Sequence, residues 1–352
     1  MLKIENFKEG LLRWALSLLA INYIGYQTLP QWPLKLVLRI VAMGLIGMIF
    51  VLFSSKKIDI KAFAITSALA IAMLFADAPL SNLNLIIVFL ICYVAKDVSQ
   101  RTFIKLCYQA NGLGLSFYLA LLLSKQIHFI NYTVGFRTRN TMGFSNVNAA
   151  AQFFLSITII LVLEKNTIFS WLVYFILNSV VYKFTNSRTA IIVAALFSVI
   201  YLMRRILKIE IIWKIILYVV VLVVFLSPLL IVILQYRFSN LNIILSERPR
   251  IFAKTLGSMS IKNILIGGAS AEIDNGPICI LLSEGVFVLA GVFMMFINVV
   301  KQLKSIDALY LAYLSAFLFI GMMEGTWIRA EILSSLVMWK ILWDINFGLK
   351  PE

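Results

Sequence analysis

Arginine is concentrated in three polar parts of an otherwise apolar chain, and arginine is the side chain best suited to hold an anion. Its planar guanidinium presents a fork of N–H groups that binds carboxylate or phosphate through two parallel hydrogen bonds. Arg137 and Arg139 lie in the stretch FRTRNTMGFSNVNAAAQ, and Arg188 lies in TNSRTA. Arg248 and Arg250 lie in SERPRIF. These residues predict a binding site for an anionic group.

The elements that carry these arginines are predicted to be membrane helices. The chain has 352 residues, of which 62% are hydrophobic and 13% charged, whereas soluble domains have about 45–50% apolar residues. Long apolar runs favour helices, because a helix satisfies its own backbone hydrogen bonds in lipid. We predict an all-α polytopic integral membrane protein, a single transmembrane domain over 1–352, with about twelve transmembrane helices. The predicted spans are 11–26, 34–53, 62–76, 80–95, 103–123, 149–163, 168–182, 189–203, 211–234, 277–300, 308–322 and 329–345.

The distribution of basic residues predicts the side of the membrane on which each loop lies. With both chain ends inside, the cytoplasmic loops carry fourteen basic residues, whereas the short outer loops 27–33, 77–79 and 323–328 carry none, which satisfies the positive-inside rule. Eleven of those fourteen residues are lysines. The two long loops, 124–148 and 235–276, then lie outside together with the arginine groups. Topology does not require positive charge there, so anion binding is one explanation of the arginines. Binding of lipid headgroups at the outer interface is the alternative.

Helix polarity places further positive potential on the outer side. In this topology spans 6, 8, 10 and 12 begin outside, and helix N-termini carry partial positive charge and free N–H groups. Arg188 opens span 8 and Arg329 opens span 12. We expect Asn148 to cap span 6, and either Asn186 or Ser187 to cap span 8.

The second long loop is predicted to have a helical middle and a glycine-rich end. Phe252, Leu256 and Met259 recur at helical spacing, which predicts an amphipathic helix at the outer interface. The sequence GGASAEIDNGP follows and contains two acids, Glu272 and Asp274, shortly before span 10. This loop therefore supplies carboxylates as well as arginines.

Other kinds of site have little support from the residue types. The net charge of +15 is explained by cytoplasmic loops, so no nucleic-acid partner is expected. The three cysteines lack CxxC spacing, and the single histidine, His128, leaves no zinc site. Acids at membrane depth usually have a partner or a role. We expect Glu284 to pair with an arginine, and we note Glu324 and Glu331 beside the start of span 12.

Six short motifs occur in a fixed order through the middle of the chain. They are RNTMGFSNVN (139–148), NSRTA (186–190), RPRIF (248–252), GG (267–268), DN (274–275) and LLSEG (281–285). Their order and placement resemble those of the bacterial O-antigen ligase and polymerase superfamily, the Wzy-type polysaccharide polymerases. Val147 stands where that family has proline, and Asp274 stands where its ligases often have histidine. The first 120 residues resemble the family only in being hydrophobic spans.

The resemblance implies a membrane glycosyltransferase of the C-type (GT-C) fold that uses no metal or other cofactor. Such a polymerase transfers a glycan from undecaprenyl diphosphate onto a second lipid-linked repeat unit. The reaction would occur at the outer, extracellular or periplasmic, face of the bacterial cytoplasmic (inner) membrane. The implied partners are the undecaprenyl-diphosphate-linked oligosaccharide, membrane lipid, a flippase and a chain-length regulator.

The resemblance also assigns roles to individual residues. Arg188 and Arg248 are expected to stabilise the diphosphate leaving group, and Asp274 is expected to face the acceptor hydroxyl as the third catalytic residue. Glu272 competes with Asp274 for that role. The expected substrate-binding residues are Arg137, Arg139, Asn146, Asn148, Arg250, Glu272, Asn275 and Glu284.

Three other functions remain open on the sequence. An O-antigen ligase would use the same fold and donor with a different acceptor. A transporter or lipid-linked glycan flippase would be marked by charges at the membrane midplane or by broken helices. A non-catalytic membrane scaffold would leave the outer arginines unexplained.

Overall fold

The structure is a computed structural model that describes residues 2–29, 31–53, 83–134, 137–235, 247–269 and 273–348. It is almost entirely helical, with a small β-hairpin. Within these ranges, seven helices are long and apolar enough to cross a membrane. The protein is therefore a polytopic helical membrane protein, as the sequence predicts.

The seven candidate membrane helices are α2 (Lys35–Phe53), α4 (Gln100–Leu123), α5 (Val147–Lys165), α6 (Ile168–Thr185), α7 (Arg188–Ile206), α8 (Glu210–Gln235) and α11 (Gly276–Lys301). The other α-helices are α1 (Leu2–Thr28), α3 (Leu83–Val94), α9 (Arg248–Gly257), α10 (Ile261–Ile266), α12 (Ala308–Met323) and α13 (Leu333–Phe347). Short 3₁₀ helices occupy Leu303–Ser305 and Gly325–Ile328.

Eleven of the twelve predicted spans coincide in position with helices, seven of which are long and apolar enough to cross a membrane. The predicted span 62–76 lies outside the described residues. The last span begins later than predicted, at Leu333. Arg329 does not open it, because its N–H bonds to the Thr326 carbonyl and ends the preceding 3₁₀ helix.

The chain divides into two compact units, and the assignment of 1–352 to a single transmembrane domain stays a prediction. One unit contains Met1–Ile58, Leu90–Val199 and Ala330–Asp344, and the other contains Asp59–Phe89, Ile200–Arg329 and Ile345–Glu352.

The first unit is built around an aromatic cluster beneath the hairpin. Helix α1 packs against α2 and α4, α4 packs against α5, and α5 packs against α6. Tyr118, Phe144, Phe153 and Phe154 form the centre of the cluster, with ring centroids 5.3–6.4 Å apart. The Tyr118 hydroxyl donates to the Met142 carbonyl at 2.8 Å, which ties the loop before α5 to this core.

The hairpin lies in the first long loop, where the sequence analysis expected no regular structure. Strands β1 (Asn131–Val134) and β2 (Arg137–Asn140) pair antiparallel, with Tyr132 opposite Arg139. The amide of Asn140 donates to the Asn131 side-chain oxygen at 2.7 Å and holds the open end. The hairpin therefore fixes Arg139 on a short ordered strand.

The second unit packs α8 against α9, α11 and α12. Helix α9 lies in the segment for which an amphipathic helix was predicted, with Phe252 buried and Lys254 exposed. Phe252 packs with Ile278 and Leu282 of α11. A position of α9 at the membrane interface remains a prediction.

A side-chain hydrogen bond replaces the backbone hydrogen bond that is lost at a proline inside α8. Pro228 has no N–H to offer the Val224 carbonyl, and the Ser227 hydroxyl donates to that carbonyl at 2.7 Å instead. The amide of Asn275 then donates to Ser227 Oγ at 3.4 Å. The proline is thus accommodated and linked to the start of α11.

Helix α11 is broken at Gly285, and the glycine pair of the preceding loop closes the break. Gly285 has φ 83° and ψ 176°, a conformation that essentially only glycine adopts. The N–H groups of Gly268 and Ala269 donate to the Ser283 and Leu282 carbonyls at 2.9 and 3.0 Å. The GG and LLSEG motifs therefore form one backbone crossing.

Alanine at either crossing glycine should destabilise the protein. A Cβ on Gly267 would overlap the backbone of Ser283 and Glu284, and one on Gly285 would overlap the backbone of Leu265. The backbone strain alone is about 1–3 kcal/mol at each site. Thermal unfolding in detergent should show a lower Tm for Gly267→Ala and Gly285→Ala.

Gly291→Ala is the matched control, because it lies in the same helix and a Cβ there would meet nothing within 4 Å. It should keep or raise the Tm. An equal loss in all three variants would contradict the crossing.

Candidate functional site

A first polar cluster connects the hairpin with the starts of two helices in the first unit. Arg139 donates from Nε to the Thr185 carbonyl at 2.9 Å and from Nη2 to Asn148 Oδ1 at 2.9 Å. The same Asn148 oxygen accepts from the Ser187 hydroxyl at 3.4 Å. We call Arg139, Asn148, Thr185 and Ser187 the hairpin cluster. It brings together two of the sequence motifs, RNTMGFSNVN and NSRTA.

The structure corrects the predicted helix caps. Asn146, not Asn148, caps α5, because its side chain accepts from the Asn148 N–H at 2.8 Å. The side-chain oxygen of Asn148 instead accepts a hydrogen bond from Arg139, so it does not cap the helix. Asn186 caps the end of α6 in a left-handed conformation, so Ser187 is the residue that precedes α7.

The other two predicted site arginines of the first unit are Arg188 and Arg137. Arg188 is the first residue of α7, is exposed, and makes no ion pair with the described residues. Arg137 is the first residue of β2 and pairs with Val134 through the backbone. Arg188 is therefore available at a helix N-terminus, which favours anions.

A second polar cluster lies in the other unit and joins three separate elements. The Arg248 Nη2 atom lies 3.3 Å from Asp274 Oδ2 and 3.3 Å from Glu324 Oε1. We call these three residues the Arg248 cluster. It brings together two predicted catalytic residues, Arg248 and Asp274, and adds Glu324.

The local structure explains why these three side chains meet. Arg248 is the first residue of α9, and Pro249 beside it is buried. Asp274 immediately precedes Asn275, the N-cap of α11, and Glu324 ends α12. Each charged residue is therefore placed by a helix end.

Arg248 retains donors for a ligand. Its side chain is 16% exposed, and its Nε and Nη1 atoms have no hydrogen-bond partner among the described residues. A guanidinium held through one nitrogen can still offer its other N–H groups to an oxyanion. The cluster thus combines a positioned cation with a carboxylate, Asp274, that is 56% exposed.

Asn275 has a structural role beside the Arg248 cluster, although the resemblance assigns it to substrate binding. It is fully buried. Its side-chain oxygen accepts from the Ile278 N–H at 2.9 Å, and its amide donates to the Met322 carbonyl at 3.0 Å. Asn275 thereby holds the N-terminus of α11 against the end of α12 and fixes the position of its neighbour Asp274.

The other residues of the second unit that were noted for ligand binding are more exposed or lie outside the described residues. The Arg250 side chain is 81% exposed, and its Nη1 atom lies 3.9 Å from Glu247 Oε2. Exposed pairs of this kind contribute little to stability. Arg329 is exposed. Glu272 lies outside the described residues.

The three acids noted within span 10 and beside span 12 differ in whether they form an ion pair. Glu331 pairs with Arg39 at 2.5 Å, and Glu324 pairs with Arg248. Glu284 lies beside the break in α11, is 3% exposed, and forms no ion pair within the described ranges. Its Oε1 atom is buried without a hydrogen-bond partner. The expected arginine partner of Glu284 is therefore not found there.

Glu324 was noted in the sequence only as an acid near span 12. The signal that could have identified it is its place at the end of an apolar helix, since an acid close to the membrane interior usually has a partner. Its partner Arg248 lies 76 residues away, which no local pattern reveals.

Among the described residues, no group of three or more His, Cys, Asp or Glu side chains is arranged to hold a metal ion.

Comparison of the chain with protein-family models, with curated proteins and with solved structures finds no match.

Replacing Glu284 by glutamine should leave the Tm unchanged or raise it. Burying a carboxylate without a cation is costly, and a carboxamide of the same shape avoids that cost. Thermal unfolding of Glu284→Gln, beside the exposed control Glu247→Gln, tests this expectation. A marked loss of Tm in Glu284→Gln alone would mean that a cation holds the carboxylate.

Proposed function

We propose that the protein is a membrane glycosyltransferase, a polysaccharide polymerase that acts on lipid-linked glycans. The observation that carries the proposal is the Arg248 cluster, in which a positioned guanidinium has N–H groups without a partner among the described residues and lies beside an exposed carboxylate. Transfer from a lipid diphosphate needs both groups, a cation for the leaving group and an acceptor for the hydroxyl. The motif order along the chain supports the same reaction.

In this proposal Arg248 binds the diphosphate of an undecaprenyl-diphosphate-linked oligosaccharide. The acceptor hydroxyl oxygen attacks the anomeric carbon of the donor glycan and forms the new glycosidic bond. The bond between that carbon and the diphosphate oxygen breaks, and the diphosphate leaves with both electrons. Negative charge grows on the leaving oxygen, where fixed N–H donors lower the barrier. The hydroxyl proton is taken up by the released diphosphate.

Asp274 orients the acceptor in this scheme. Its carboxylate is exposed and stands at the N-terminal end of α11, where it can accept a hydrogen bond from the incoming sugar hydroxyl. An aspartate is a weaker base than the histidine of the ligases that the chain resembles. The aspartate in place of that histidine argues against an O-antigen ligase. A ligase would use the same donor with a different acceptor.

Arg188 is a second candidate for contact with anionic substrate. It opens α7, where its guanidinium and the helix N-terminus both favour an anion. The hairpin cluster holds the residues just before Arg188, through the Thr185 carbonyl and the Ser187 hydroxyl. Arg139 acts here by positioning, since two of its N–H groups bind protein oxygens.

A lipid-linked glycan flippase is the second candidate, and one observation favours it. Transporters place broken helices and buried charges near the membrane midplane. Helix α11 is broken at Gly285, and the buried Glu284 stands next to the break. A flippase would move the lipid-linked glycan without forming a bond, which an assay can distinguish.

Reconstitution with a lipid-linked repeat unit separates these functions. The purified chain in proteoliposomes should produce a ladder of repeat multiples on a gel. A single transfer to lipid A core would instead indicate a ligase. Movement of the substrate across the bilayer without new bonds would indicate a flippase and would overturn the proposal.

Arg248→Ala and Arg188→Ala should each lower the polymerisation rate, on the order of 10²–10³-fold for a lost donor to a developing oxyanion. Lys254→Ala is the control, because Lys254 is exposed on α9 and belongs to neither cluster. Polymer formation is measured after the amount of each variant in the membrane is matched. Polymer of normal length and rate with both arginines replaced would contradict the assignment.

A further inference from the structure

The two carboxylates of the Arg248 cluster share one guanidinium nitrogen but differ in their burial. Glu324 Oε1 and Asp274 Oδ2 both lie 3.3 Å from Arg248 Nη2. The Glu324 side chain is 4% exposed, whereas the Asp274 side chain is 56% exposed. One partner is therefore built into the protein interior, and the other lies at the surface of the cluster.

From this difference we infer that Asp274 is an exchangeable counter-ion of Arg248, displaced when a diphosphate binds, while Glu324 is the fixed positioning residue. The inference rests on the proposed function, because it concerns the same cluster and the same ligand chemistry. It adds a residue, Glu324, and an order of events to that proposal.

The charge balance requires such a displacement. One arginine and two carboxylates give the cluster a formal charge of −1, which repels an incoming anion. A diphosphate can gain the Nη2 donor of Arg248 only if one carboxylate moves away. The buried Glu324 cannot re-enter water without disturbing the end of α12. The exposed Asp274 can, since its solvated pair with Arg248 is weak.

The free donors of Arg248 show where the exchange begins. Nε and Nη1 have no hydrogen-bond partner among the described residues, while Nη2 is held by both acids. A diphosphate oxygen can therefore bind Nε or Nη1 first. The second oxygen of a bidentate contact then takes the place of the Asp274 carboxylate.

The displacement couples donor binding to acceptor binding. While the site is empty, the Asp274 carboxylate is engaged by Arg248 and does not offer that oxygen to a hydroxyl. When the diphosphate takes its place, the same carboxylate becomes free to accept a hydrogen bond from the acceptor sugar. The donor should therefore bind before the acceptor in the productive sequence.

Binding of farnesyl diphosphate to the full chain in nanodiscs tests the inference. Asp274→Asn removes the competing charge, so it should bind the probe about two- to fivefold more tightly, the range expected from exposed ion pairs, while making polymer more slowly. Glu324→Gln should bind more weakly because the guanidinium loses its anchor. Arg248→Ala should lose at least about tenfold in affinity.

Glu247→Gln is the control for a general effect of charge. Glu247 is exposed and directly precedes Arg248, but it is not part of the cluster. Its probe affinity should equal that of the unsubstituted chain. An equal gain in Glu247→Gln and Asp274→Asn would overturn the exchange, because the effect would then come from net charge.

The outcomes separate the inference from the proposed function. If the unsubstituted chain binds the probe and makes polymer, and Arg248→Ala does neither, the proposed function stands. If in that case Asp274→Asn binds no more tightly than the unsubstituted chain, the exchange is wrong. If the unsubstituted chain neither binds the probe nor makes polymer, the proposed function itself fails.

Discussion

A polar group that lies away from water is costly unless it finds a partner within the protein, and that constraint shapes the described structure. Lipid offers no hydrogen bonds, so an exposed backbone N–H or carbonyl costs several kcal/mol. Where Pro228 removes a donor from α8, the Ser227 hydroxyl replaces it. Where α11 breaks at Gly285, the segment through Gly268 supplies N–H groups to the open carbonyls. Each irregularity is thus accompanied by a second element that satisfies it.

The same constraint governs charge. Arg39 pairs with Glu331, and Lys340, which is 1% exposed, pairs with Asp344 one helical turn later. The Arg248 cluster differs from these pairs, since it holds more negative than positive charge and part of it is exposed. A balanced pair is complete without a ligand, whereas this cluster can exchange one of its members. That difference is why we place the chemistry there.

The sequence predicts the features that depend on local composition. Apolar runs located the membrane helices, and the spacing of Phe252 and its neighbours located α9. The cap of α5 was misassigned to Asn148, because the sequence does not reveal that Arg139 takes that side-chain oxygen. The hairpin at 131–140 was missed, since two four-residue strands give too short a pattern. Glu324 was left without a partner, because its contact with Arg248 is made by tertiary packing alone.

The crossing of Gly267 over Gly285 means that the loop before α11 and α11 itself must change together in evolution. Neither glycine can gain a side chain while the other segment lies against it. A relative that changed the loop near Gly267 would have to change α11 near Gly285 in the same lineage. Chimeras that exchange this loop should therefore carry α11 with it.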